Sequence, residues 1–127
     1  MASTFNNAGL DVGVLDDATG NMYTAGGSVT AVIHAVYISN KSSTNIAKVN
    51  VKVTTDGGST FYYIGKSMEV DVSNTLVLDK PINLENNDII RIYADPSPDS
   101  SSVDVEAYAS ILAVSYTHLT LPTNREV

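Results

Sequence analysis

Polar and apolar residues alternate with a period of two through most of the chain, the signature of strands with one side turned to a core. Leu10, Val12 and Val14 alternate with Asp11 and Gly13. In "NIAKVNVKVTTD", Ala47, Val49, Val51 and Val53 share one side, while Lys48, Asn50 and Lys52 share the other; this predicts a strand in a sheet with one wet face. "SMEVDVSN" sets Met68, Val70 and Val72 against Glu69 and Asp71, and "SVDVEAYASILAV" sets Val103, Val105, Ala107, Ala109 and Ile111 on one side. "SVTAVIHAVYISN" is apolar on both sides and predicts a central strand covered on both faces. Further strands are expected in "STFYYIGK", "TLVLDKPINLE" and "DIIRIYA", with Pro81 marking an edge or a strand end.

Turn signals separate these runs: "LDDATGNMY", Gly26-Gly27, "NKSST", Asn86-Asn87-Asp88 and "DPSPDSSS". Roughly eight short strands at a spacing of about 8–12 residues predict an all-β fold, a single antiparallel β-sandwich or jelly roll. No segment carries a convincing helical period.

At 127 residues the chain suits one domain with one core. There is no cysteine, so disulfides and thiolate metal sites are excluded. No apolar run approaches membrane-spanning length, and "MASTFNNAGLDVG" lacks the basic and hydrophobic regions of a signal peptide. The formal net charge of −7 opposes binding to nucleic acid or to an anionic membrane, so neither is expected as a partner.

Residues 54 to 61, "TTDGGSTF", resemble an Asp-box, the motif of sialidases and other glycan-processing β-proteins. Each residue also has a task in a tight hairpin. Thr54 opens it, Asp56 accepts backbone hydrogen bonds, and Gly57 and Gly58 permit positive φ. Thr60 bonds within the turn, and Phe61 is expected to anchor it in the core. The motif lies away from the catalytic centre in the families it resembles, so a structural hairpin is the expected role. A sialidase also needs an arginine cluster, and the only arginine before residue 114 is Arg91. His34, in "AVIHAV", reads as a solitary buried structural histidine. Asp16, Asp17, Asp56, Asp88, Asp95 and Asp99 fall in turn contexts that favour capping and solubility. Asp16, Asp17 and Thr19 share a loop, as do Asp95 and Asp99, but neither matches an EF-hand. No catalytic residue, metal site or cofactor is expected, and an enzyme is not.

The stretches "AVIHAVYISN", "VNVKVTTDGGSTFYYIGKSMEV", "TLVLDKPINLENNDIIRIYA" and "VDVEAYASILAVS" resemble, in pattern and order, small all-β virion proteins of tailed bacteriophages common in environmental sequence. The resemblance implies a non-enzymatic building block or accessory on the head, neck or tail, assembled in the host cytoplasm. Its partners would be copies of itself and other virion proteins. Tyr62, Tyr63, Asp95 and Asp99 are the expected contact surface. The alternative is a carbohydrate-binding or adhesive module, with a glycan as partner and coplanar exposed tyrosines as its requirement. The last stretch differs from the rest. Val114 to Thr123, "VSYTHLTLPT", resembles a translated transposase adapter of sequencing libraries. The domain is therefore expected over residues 1–113, with 114–127 a non-native tail.

Overall fold

The computed structural model describes residues 2–95 and 104–115. Nine strands are present among them: β1 (Ala2–Val12), β2 (Asn21–Thr24), β3 (Val29–Asn40), β4 (Ala47–Thr54), β5 (Phe61–Val70), β6 (Thr75–Leu78), β7 (Ile82–Leu84), β8 (Ile89–Ala94) and β9 (Val105–Ser115). A single 3-10 turn, Ala18–Gly20, lies between β1 and β2, and Asp17 caps it by accepting the Thr19 amide.

Two antiparallel sheets form a β-sandwich. One has the order β1-β9-β3-β6, with β7 also on β3; the other has the order β2-β8-β4-β5. The strands β6 and β7 run along the same side of β3, against Val36–Ser39 and Ala31–Ile33. They are one edge strand interrupted at Asp79-Lys80-Pro81, where Pro81 cannot donate to a ladder. Counted so, the described residues form eight strands in two four-stranded sheets, and the chain crosses between sheets repeatedly. That is the connectivity of a jelly roll.

The core lies between the sheets. Ala31, Ile33, Val36, Ile38, Ala107, Ala109 and Ile111 from the first sheet face Val49, Val51, Ile90, Ile92 and Ala94 from the second. Their alternation along β3, β4, β8 and β9 follows from the two-residue side-chain period.

Four expectations need correction. His34 is exposed, not buried: β3 bulges against β9 between Ile33 and Ala35, and the extra residue swings outward. β3 is central by pairing, but among the described residues only one of its faces is covered; Tyr37 on the other face is exposed. β4 is the strand covered on both faces, because Asn50, Lys52 and Thr54 are buried with its valines. Lys52 therefore does not protect a solvated face. Finally, "STFYYIGK" and "SMEV" form one strand, β5, whose pairing with β4 shifts twice and which holds Ser67 at φ 51°. The shifts let Gly65-Lys66-Ser67, which reads as a break, continue as bulged strand.

β9 pairs through Ser115, opposite Ala2 and Val29, two residues beyond the expected boundary at 113. The tail from 116 onward lies outside the described residues.

Candidate functional site

The Asp-box-like turn is built by two aspartates. Asp56 Oδ1 accepts the amides of Ser59 at 3.0 Å and Thr60 at 2.9 Å. These bonds hold the Asp56 carboxyl below its usual value, the Thr60 amide contributing most. Gly57 and Gly58 have φ of 80° and 115°, conformations that side chains disfavour. The second aspartate is Asp88, from the turn before β8. It is buried, and its carboxylate accepts from the Gly57 amide at 3.0 Å, the Glu85 amide at 3.0 Å and the Thr54 hydroxyl at 3.4 Å. Thr54 Oγ1 in turn accepts the Ile89 amide at 2.9 Å. Sequence reading placed Asp88 in a turn but not in this network, since its partners Gly57 and Thr54 are 31 and 34 residues away.

Phe61 does not anchor the core. It pairs with Thr54 across β4–β5, and its ring lies half-exposed on the outer face of the second sheet. There it covers two cations, with Lys52 Nζ at 4.7 Å and the Arg91 guanidinium at 4.3 Å from the ring centroid.

These residues belong to one polar-aromatic cluster set by register. Asn21, Arg91, Lys52 and Tyr63 stand side by side across β2, β8, β4 and β5. Lys52 is only 8% exposed. A buried lysine needs a counter-charge, and Asp16 supplies it at 2.8 Å from the loop after β1. Asp16 also takes Arg91 at 3.2 Å, and Arg91 Nε donates to Asn21 at 2.8 Å. The Lys52 hydrogen bond, reinforced by Arg91 against a burial penalty, holds the Asp16 carboxyl below its ordinary value. The Tyr63 and Tyr93 rings sit 5.4 and 5.6 Å from the same ammonium, and their hydroxyls are 2.6 Å apart. Burial, then that hydrogen bond, raises the Tyr93 phenol.

Beside this row, Asn50 donates to the Tyr93 carbonyl at 3.2 Å and to Asp95 at 2.9 Å, while its Oδ1 accepts the Ser67 amide at 2.8 Å. Asp95 also accepts from the Ser67 hydroxyl at 2.8 Å, and the Asn50 bond leads in lowering its carboxyl. The cluster thus closes on itself. Asp16 is tied by two cations and Asp95 by two donors, so neither is set up as a general base. Among the described residues no group of three or more His, Asp or Glu stands at metal-binding distance.

The expected contact residues are separated. Tyr63 lies in the cluster. Tyr62 pairs with Val53 and lies on the core-facing side of β5, yet it is 55% exposed. Asp95 belongs to the Asn50 network, and Asp99 lies outside the described residues. Tyr62 and Tyr63 therefore do not form a coplanar pair, because adjacent strand residues point to opposite faces.

Tyr62 marks an opening. β5 and β6–β7 are the edges of the two sheets, and between them is an apolar depression of about 550 Å3. Val53 and Ile64 line it from one sheet, and Val77, Leu78, Pro81 and Ile82 from the other. Ile64 is 43% exposed although it sits at the mouth of the core.

No family model matches the chain, and no curated protein matches it. Among solved structures it is similar to a chain in the structure of infectious bursal disease virus Gt strain, with a TM-score of 0.42 and 6% sequence identity. The alignment covers 91% of this chain and 32% of that one, so the chain spans about a third of its neighbour's length.

Proposed function

We propose that this chain is a non-enzymatic structural or accessory protein of a bacteriophage virion, working through contacts with copies of itself and with other virion proteins. The observation that carries the reading is the open edge of the sandwich. Ile64, at the mouth of the core, stands uncovered beside Val53, Leu78, Pro81 and Ile82, and the exposed Tyr62 lies on the same side of β5. A monomer in water gains by covering such a surface, at about 25 cal/mol for each Å2 of apolar area removed.

Three further features support it. Jelly rolls are used by capsid and lectin domains, an analogy at the level of fold. The polar clusters are spent on fastening the sheets and leave no free acid–base pair in them. The net charge of −7 favours protein partners over nucleic acid.

The occupant of the mouth is taken to be a second copy in the isolated protein. The test is sedimentation velocity over a range of concentrations, comparing the full chain with Ile64→Lys. The wild type should self-associate. The variant should stay monomeric with an unchanged melting curve, since residue 64 is exposed. A wild type that remains monomeric at high concentration, from a gene with no head or tail genes beside it, overturns the reading.

A further inference from the structure

The outer face of the β1-β9-β3-β6 sheet carries a second feature, set by register. Gly9, Tyr108, Tyr37 and Val77 stand in one row across β1, β9, β3 and β6. The Tyr37 and Tyr108 rings are 41% and 48% exposed, their centroids are 6.3 Å apart and their planes tilt by 40°. Gly9 leaves a notch beside Tyr108: a Cβ built there meets nothing closer than the Ala107 carbonyl at 3.9 Å. The result is a depression of about 420 Å3, in the range of small-molecule sites at about 300–1,000 Å3.

The adjoining row supplies the polar rim. Asp11, Glu106, Ser39 and Thr75 follow one another across the same four strands. Glu106 accepts from Lys41 at 3.1 Å, and the Ser39 and Thr75 hydroxyls are 3.0 Å apart. The Asp11 side chain makes no hydrogen bond or close ion pair among the described residues, so its carboxylate is open to a ligand.

We propose that this depression binds a neutral pyranose sugar. The negative face of each tyrosine ring attracts the weakly positive C–H face of a sugar ring, and the tilt makes a shallow wedge for it. The Asp11 carboxylate accepts hydroxyl donors. Ser39 can donate or accept. The charges decide the ligand class. An anionic ligand meets the Asp11 and Glu106 carboxylates, whereas a neutral polyol can donate its hydroxyls to Asp11 and lay its C–H face on the tyrosine rings. The same acidic rim opposes face-to-face docking of two copies.

The test is a glycan array carrying neutral and sialylated oligosaccharides, probed with the labelled full chain. It is followed by saturation-transfer NMR titration of the strongest neutral glycan. Neutral pyranosides should bind. Tyr108→Ala and Tyr37→Ala should each weaken binding by about tenfold, and Gly9→Leu should block the notch. Leu15→Ala, exposed and outside both depressions, should bind as the wild type does. All four positions are exposed, and matching urea unfolding curves establish that the variants are folded. No binding to neutral glycans overturns the proposal, as does binding confined to sialylated glycans or to polylysine. Binding that survives Tyr108→Ala and Tyr37→Ala overturns it too. The assembly reading is tested separately by oligomer mass and Ile64→Lys, so either can fail alone.

Discussion

Asp88→Ala is the substitution that most directly separates the structure of the Asp-box-like turn from its appearance in sequence. Sequence alone makes Asp56 the turn's aspartate. In the structure Asp56 bonds two exposed amides, whereas Asp88 is buried and joins three segments: the end of β4, the turn at Gly57 and the turn at Glu85. Removing Asp88 takes the charged acceptor from two amides at 3.0 Å. Hydrogen bonds to a charged group are worth about 1.5–3 kcal/mol each. Both amides are only partly buried, and water entering the space recovers some of that. A net loss of about 2–4 kcal/mol follows, and a melting point lower by about 8–16 °C at roughly 4 °C per kcal/mol. Asp88→Asn keeps one acceptor but turns an NH2 toward an amide donor, so it should fall between Ala and wild type. Asp56→Ala should cost less than either, because its freed amides rehydrate at once. Urea denaturation followed by circular dichroism measures the series. An Asp56→Ala loss equal to or larger than that of Asp88→Ala refutes the reasoning.

Two further outcomes follow from the second sheet. Phe61→Ala should cost about 1–2 kcal/mol, from partial burial and its contacts with Lys52 and Arg91. Ile33→Ala, in the fully buried core, should cost about 2–5 kcal/mol, and a Phe61 loss in that range would return the ring to the core. In acid, Asp16 and Asp95 have folded values depressed below the ordinary 3.8. Their stabilisation is therefore present above that value and is lost as pH falls below it and through the folded values. Asp16→Asn should flatten this acid limb in a pH series of urea midpoints; an unchanged slope counts against the Asp16–Lys52 pairing.

Much of the fold was legible because it rests on parity. Val49 and Val51, Ile90 and Ile92, Ala107, Ala109 and Ile111 all face the core as their alternation requires. Gly26-Gly27 and Asn86-Asn87-Asp88 end strands as turn chemistry requires. What failed has physical causes. The first half of β1, Ala2 to Ala8, has no alternation to read, yet it pairs fully with β9. Its order comes from backbone hydrogen bonds to a strand about a hundred residues later. Gly65 and Ser67 look like breakers and are bulges. The bulge at His34 exchanges the two faces for everything beyond it, so Val36 and Ile38, not Ala35 and Tyr37, continue the buried side of Ala31 and Ile33.

Parity says which residues share a face, and it is silent on whether that face meets water. The clean alternation of β4 and the doubly apolar run of β3 were therefore read in reverse. Lys48, Asn50 and Lys52 look like a solvated edge, but β4 is flanked by β5 and β8, and Tyr63, Tyr93, Phe61 and the Asp16 loop cover Lys52. Every one of those covering groups lies at least nine residues away in sequence, so no local pattern could announce them. β3 is apolar on its outer face for a different reason. Val32, Ala35 and Tyr37 pair with Leu112, Ser110 and Tyr108 of β9, and no third layer lies over them among the described residues. An apolar outer face on a central strand, left uncovered, is where recognition is to be sought; a polar outer face closed by its own ion pairs is where cohesion resides. By that criterion the surfaces proposed for binding are the Tyr37–Tyr108 face and the Tyr62–Ile64 mouth. The Lys52 cluster, for all its charge, is a clasp that holds β8, β4 and β5 to the loop after β1.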